Sequence, residues 1–153
     1  MHHDFWHERW QTGQVGFHQS AVQDGFRRHA AGPFELLEGD ALELGPAILG
    51  PVGAAYDRAA LVALPPDLRS RYAASLARLL PAGARVLLVA FEYPQEMKGG
   101  PPFSVEAAEV RALFEPAFAV EEVERLDILA ASPKFAELGI PALHETAFVM
   151  TRA

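Results

Sequence analysis

The sequence predicts an α/β fold, with a mostly parallel sheet flanked by helices and an antiparallel strand at one edge. Three features carry this. RVLLVAFEY (85–93) holds an unbroken apolar run from Val86 to Phe91, which suits a strand buried on both faces, as parallel strands are. Strand-like and helix-like segments alternate along the chain, the pattern of α/β domains. FAVEEVERL (118–126) and HETAFVMT (144–151) have little helical pattern between them, which allows an antiparallel pair at the sheet edge.

The elements follow in order. Asp4 can cap a short first helix in which Trp6 and Trp10 share a face, and Gly13 and Gly16 break it. Ser20 can cap a second helix with Val22, Phe26 and His29 at helical spacing. FELLEGDALEL (34–44) reads as a short strand running into a turn at Gly39-Asp40, and GPAILGPVG (45–53) as loop. AAYDRAALVAL (54–64) reads as a strand end, a loop at Asp57-Arg58 and a connector. Pro65-Pro66 then start a helix whose buried stripe is Leu68, Tyr72, Leu76, Leu79 and Leu80. The loop PQEMKGGPPFS (94–104) follows the central strand, a position where loops often carry function. Ser104 can cap the next helix, with Val110, Leu113 and Phe114 on its apolar face.

Length and composition narrow the function. A chain of 153 residues, half of them apolar, builds one domain with a core. That domain is expected to be N-terminal lid helices over 1–30 and an α/β core over 34–153. The net charge of −7 and the scattered Lys and Arg leave no footprint for nucleic acid. No apolar run reaches the roughly 18–20 residues that span a bilayer, and MHHDFWHERW lacks the basic-then-apolar order of a signal peptide. With no cysteine, disulfides, thiolate metal sites and cysteine nucleophiles are excluded. A cytoplasmic protein that meets neither membrane nor nucleic acid is the expectation, with its oligomeric state open.

His2, His3 and His7, with Asp4 and Glu8, could ligate a metal, but their spacing matches no HExxH helix and no metal is assigned. Neither a GxSxG elbow nor a GxxxxGK[ST] phosphate loop is present. Arg58 follows Asp57 where a strand ends, and ligands of open α/β sheets bind outside the carboxyl ends of strands. It is either a clamp for a carboxylate, or an ordinary Asp–Arg pair or solvated arginine. Trp10 and Phe17 either staple the N-terminal segment to the domain or form an aromatic lid, since an indole face attracts a cation.

DFWHERW followed by GQVGFHQ, then AAYDRAALVALPPDLRSRYA, LLVAFEYPQEMKGGPPFSV and HETAFVM closely resemble, in order, the blocks of the thiopurine S-methyltransferase family. The resemblance implies a class I methyltransferase (Rossmann-like) fold and S-adenosylmethionine as methyl donor. It implies a small-molecule thiol, selenol or related tellurium compound as acceptor. It assigns cofactor contacts to Trp10, Phe17, Asp40, Ala41 and Arg58, and the acceptor pocket to Arg58, Pro101, Pro102 and Phe103. It also puts Lys134 near a second basic residue of some members. No catalytic base is implied, because methyl transfer to an acceptor that is already an anion needs only positioning and exclusion of water.

One part of the family pattern has no match. Members carry a first strand, a glycine turn, a helix and a second strand ending in a ribose-binding acid ahead of the Gly-Asp pair. RRHAAGPFELLEGD (27–40) runs straight through here. Two βα units of about 30 residues each are expected to be absent. The remaining sheet is then expected to contract, with 36–38 set beside 54–57, and to leave an apolar surface exposed. The alternative to an active S-methyltransferase is a catalytically inactive remnant that acts at most as a binding domain.

Overall fold

The computed structural model describes residues 18–23 and 25–153. The chain divides into two compact units, residues 1–48 and 49–153. Trp10 and Phe17, the histidine cluster and the expected first helix lie outside the described residues.

In the first unit, β1 (His18–Gln23), β2 (Phe26–Ala31) and β3 (Phe34–Glu38) form an antiparallel sheet in the order β1-β2-β3. A bulge falls between Gln19 and Ala21. The helix expected over 20–29 is thus a pair of strands. Gly25, with φ +82°, supplies the left-handed turn between them, a conformation that opposes helix continuation. Side-chain pairs join β2 to β3: His29 Nε2 lies 3.1 Å from Glu38 Oε2, and Arg28 pairs with Glu35. The Phe26 ring, 5 % exposed, packs over Gly39, where a Cβ would lie 2.4 Å from it.

A short helix, α1 (Pro46–Leu49), leads into the second unit. There β4 (Ala54–Asp57), β5 (Arg85–Glu92), β7 (His144–Arg152) and β6 (Phe118–Asp127) lie in the order β4-β5-β7-β6. β4 and β5 are parallel, and β7 is antiparallel to both its neighbours. Three of the four strands therefore run the same way. The antiparallel pair stands at the edge as expected, but the reversed strand is β7, one place inside the edge strand β6. The helices are α2 (Ala60–Ala63), α3 (Pro66–Leu79), α4 (Ala107–Phe114) and α5 (Pro133–Glu137), with 3-10 turns at Gln95–Met97 and Leu129–Ala131.

The core lies on one face of this sheet. Val86 and Leu88 of β5 and Phe148 and Met150 of β7 pack in one cluster with Val110 and Phe114 of α4 and Ala73 of α3. The Phe114 and Phe118 rings meet edge to face at 5.9 Å, tying α4 to β6. On α3 the fully buried positions are Arg69, Ala73 and Ser75. The expected stripe residues Tyr72 and Leu76 are only partly buried beside them.

The expected pairing of residues 36–38 with 54–57 is not made. β3 pairs with β2 across a two-residue turn, and a local pairing closes a far shorter loop than one to β4 would. Among the described strands β4 pairs with β5 alone, so its outer edge is free. The register sets Tyr56, Leu87 and Val149 on the face opposite the core. Tyr56 and Leu87 are 65 % and 41 % exposed, so an apolar surface is left uncovered although the sheet has not closed up in the expected way.

Candidate functional site

β4 ends at Asp57, opposite Leu88 of the longer β5, and the chain leaving each strand borders a cleft. Asp57, the last residue of β4, is 5 % exposed and fully engaged. Its Oδ1 accepts the Ala60 N–H at 2.8 Å, and its Oδ2 accepts the Leu61 N–H at 3.2 Å and the Tyr72 hydroxyl at 2.8 Å. A buried carboxylate needs such donors, and here they pull α2 tight against the strand end. Burial, and then the Asp57 charge, push the Tyr72 phenol well above its ordinary range, so it remains a neutral donor.

This clamp displays Arg58. Its guanidinium is 60 % exposed and donates from Nη2 to Glu145 Oε2 of β7 at 3.2 Å. Arg58 borders a cleft of about 360 Å³ with Val62, Phe91, Pro101 and Pro102, near the lower end of small-molecule sites. Among the described residues, Arg58 is the single charged one on its walls.

The far wall is the 94–104 loop, and it is braced from within. The Tyr93 hydroxyl donates to the Pro102 carbonyl at 2.5 Å, and Lys98 Nζ to the Pro101 carbonyl at 2.8 Å. The Phe103 N–H donates to the Val62 carbonyl at 2.6 Å, fastening the loop to α2. Ser104 does not cap α4. Its Oγ accepts the Tyr93 N–H at 3.0 Å, and its own N–H donates to Gln95 Oε1 at 2.8 Å. Gly100 has φ +77°, and a Cβ there would lie 2.4 Å from the Phe103 ring, so only glycine fits.

Beneath the loop, Arg69 is 2 % exposed. Its Nη1 donates to both oxygens of Glu109, at 2.7 and 2.9 Å, and its Nε to the Leu64 carbonyl at 3.1 Å. Its guanidinium lies 5.7 Å from the Phe103 ring centroid, within cation–π range. One buried cation thus joins α3, α4 and the loop.

Of the residues expected at the site, Arg58, Pro101 and Pro102 border one cleft. Phe103 turns towards Arg69 and Gly100 and supports the wall from behind. Asp40 and Ala41 belong to the first unit, exposed at the turn after β3, where Asp40 Oδ1 accepts the Leu42 N–H at 2.9 Å. Sequence reasoning missed Glu145, Tyr72, Tyr93 and Gln95. Tyr72 read as part of an apolar stripe. Glu145 meets Arg58 only because β7 returns beside β5.

A family model for thiopurine S-methyltransferase (TPMT) matches residues 23–153. The thiopurine S-methyltransferase of Xanthomonas campestris pv. campestris (strain 8004) is 35 % identical over 217 residues, covering 99 % of this chain and 100 % of its own. That of Pseudomonas paraeruginosa is 46 % identical over 129 residues, covering 84 % of this chain and 59 % of its own. The first comparison runs well beyond the 153 residues present here, so that relative has a stretch with no counterpart in this chain. A solved Burkholderia thailandensis 1,6-didemethyltoxoflavin-N1-methyltransferase superposes at TM-score 0.47 and 19 % identity, over 74 % of this chain and 48 % of that one. On the family match and the sequence relatives, the chain belongs to the thiopurine S-methyltransferase family, methyltransferases whose donor is S-adenosylmethionine.

Proposed function

We propose that this chain carries the acceptor half of an S-methyltransferase site, taking an aromatic thiolate or a related selenium or tellurium anion. One observation carries the reading: among the described residues, a single cation, Arg58, stands at the mouth of an otherwise apolar cleft. An aromatic thiol ionises more readily than an alkyl thiol. Its anion would face the guanidinium while its ring meets Val62, Phe91 and Pro102. Arg58 would hold the negative charge and the prolines would keep water away. Among the described residues no base borders the cleft, and an acceptor that arrives as an anion needs none. A reducing cytoplasm, where such acceptors escape oxidation to disulfides, fits a chain without cysteine.

The donor brings an electrophilic methyl group on a cationic sulfur, an amino-acid end and an adenosine. Among the described residues of the second unit, no carboxylate borders the cleft, and β4 has no neighbour on its outer side. These residues do not by themselves hold a ribose or an ammonium group. The family's other donor contacts would be Trp10, Phe17, Asp40 and Ala41, with Arg58 serving both ligands. The free edge of β4 favours a second reading, an inactive remnant that binds acceptor without turnover.

Two calorimetric titrations of the purified chain test this, one with thiophenolate and one with S-adenosylhomocysteine. Binding of both supports an active enzyme, and binding of thiophenolate alone supports the remnant. Absence of thiophenolate binding by the folded chain overturns the acceptor reading.

A further inference from the structure

Arg58 is not idle in the absence of a ligand. Its guanidinium is paired with Glu145, which stands directly across from Phe91 in the β5–β7 register. Arg58 and Phe91 both line the cleft, so the carboxylate, though not itself on the walls, stands next to two residues that are. The Arg58 side chain is 60 % exposed and that of Glu145 22 %. An ion pair this wet is weak and easily opened.

From this juxtaposition we infer that Glu145 is a specificity-determining residue, an internal competitor that an acceptor must displace from Arg58. This rests on the acceptor reading of the cleft. A small hydrated anion gains little there, because it exchanges one anionic partner of the guanidinium for another and buries no apolar surface. An aromatic thiolate also buries its ring against Val62, Phe91 and Pro102, and that added burial lets it win. Glu145 thereby screens the cleft against ordinary cellular anions.

The test is a thiophenolate titration of the full chain with and without inorganic phosphate, in wild type, Glu145→Gln, Glu145→Ser and Glu145→Gln/Arg58→Ala, with circular dichroism to verify folding. Removing this partly buried competitor should tighten thiophenolate binding about two- to fivefold. Both single variants should gain alike, because both lose the charge. Phosphate should leave the wild-type titration unmoved and compete in the single variants. The double variant should lose both effects. Unchanged or weaker thiophenolate binding in Glu145→Gln and Glu145→Ser overturns the inference, as does phosphate competition of equal strength in wild type. No binding to any of the four proteins overturns the acceptor reading itself.

Discussion

Tyr72→Phe removes one oxygen and should cost more than its size suggests. The hydroxyl donates at 2.8 Å to a carboxylate that is 5 % exposed. Hydrogen bonds to charged groups contribute about 1.5–3 kcal/mol. Asp57 keeps its two backbone donors, so the carboxylate stays anchored but under-satisfied. At about 2–4 °C per kcal/mol for a chain of this size, the melting temperature should fall by about 3–12 °C. The pH dependence adds a second signature. The Tyr72 phenol is raised above its ordinary value of 10.0. Above that pH the unfolded chain releases this proton and the folded chain keeps it, so stability falls as pH rises, by up to about 1.4 kcal/mol per unit. Tyr72→Phe should reduce that alkaline slope while lowering stability at neutral pH. Denaturant melts at pH 7 and above pH 10 on wild type, Tyr72→Phe, Asp57→Asn and the double variant would measure both. Burial also raises the Tyr93 phenol, so additive losses in the double variant, or an alkaline slope as steep in Tyr72→Phe as in wild type, would refute the clamp.

Other outcomes follow from the same geometry. Gly100→Ala forces a left-handed residue into the Phe103 ring and should cost about 1–3 kcal/mol, with thiophenolate affinity falling by calorimetry. Glu109→Ala strands the buried Arg69 cation and should cost about 3 kcal/mol, the low end for a broken buried pair because Glu109 is 36 % exposed; thermal melts report it. Phe114→Ala empties a fully buried site between α4 and β6 and should cost about 3–5 kcal/mol, read by urea unfolding. Leu87→Lys puts a charge on the uncovered sheet face and should reduce concentration-dependent light scattering without lowering the melting temperature.

The parts of this structure that were legible from the sequence are those set by local pattern. The apolar run of β5, the alternation of β7 and the Pro65-Pro66 helix start each specify their element within a few residues. Residues 18–31 were misread because Val22, Phe26 and His29 satisfy a helical spacing by chance. The decisive residue is Gly25, whose positive φ turns the chain into a hairpin. Arg58, Pro101 and Pro102 sit in short contiguous blocks of sequence, and the structure brings the three to one cleft. Glu145 lies 87 residues from Arg58, and a contact over that separation exists only once the sheet order is known. Arg69 was hidden for a different reason. A charged residue on an amphipathic helix reads as solvent-facing until its bidentate partner is seen.

The bracing of the 94–104 loop has a thermodynamic consequence. The loop's turn is held by contacts that do not depend on a ligand: Tyr93 to Pro102, Lys98 to Pro101, Gln95 to Ser104 and Phe103 to Val62. Its conformational entropy is therefore surrendered when the chain folds and not when a ligand arrives. A ligand entering the cleft meets a rigid wall and has chiefly the Arg58 side chain left to order, so little of its interaction energy goes into arranging the protein. Affinity in such a site follows the fit of the ligand to a shape that already exists, and a ring too wide for that wall is refused and not accommodated.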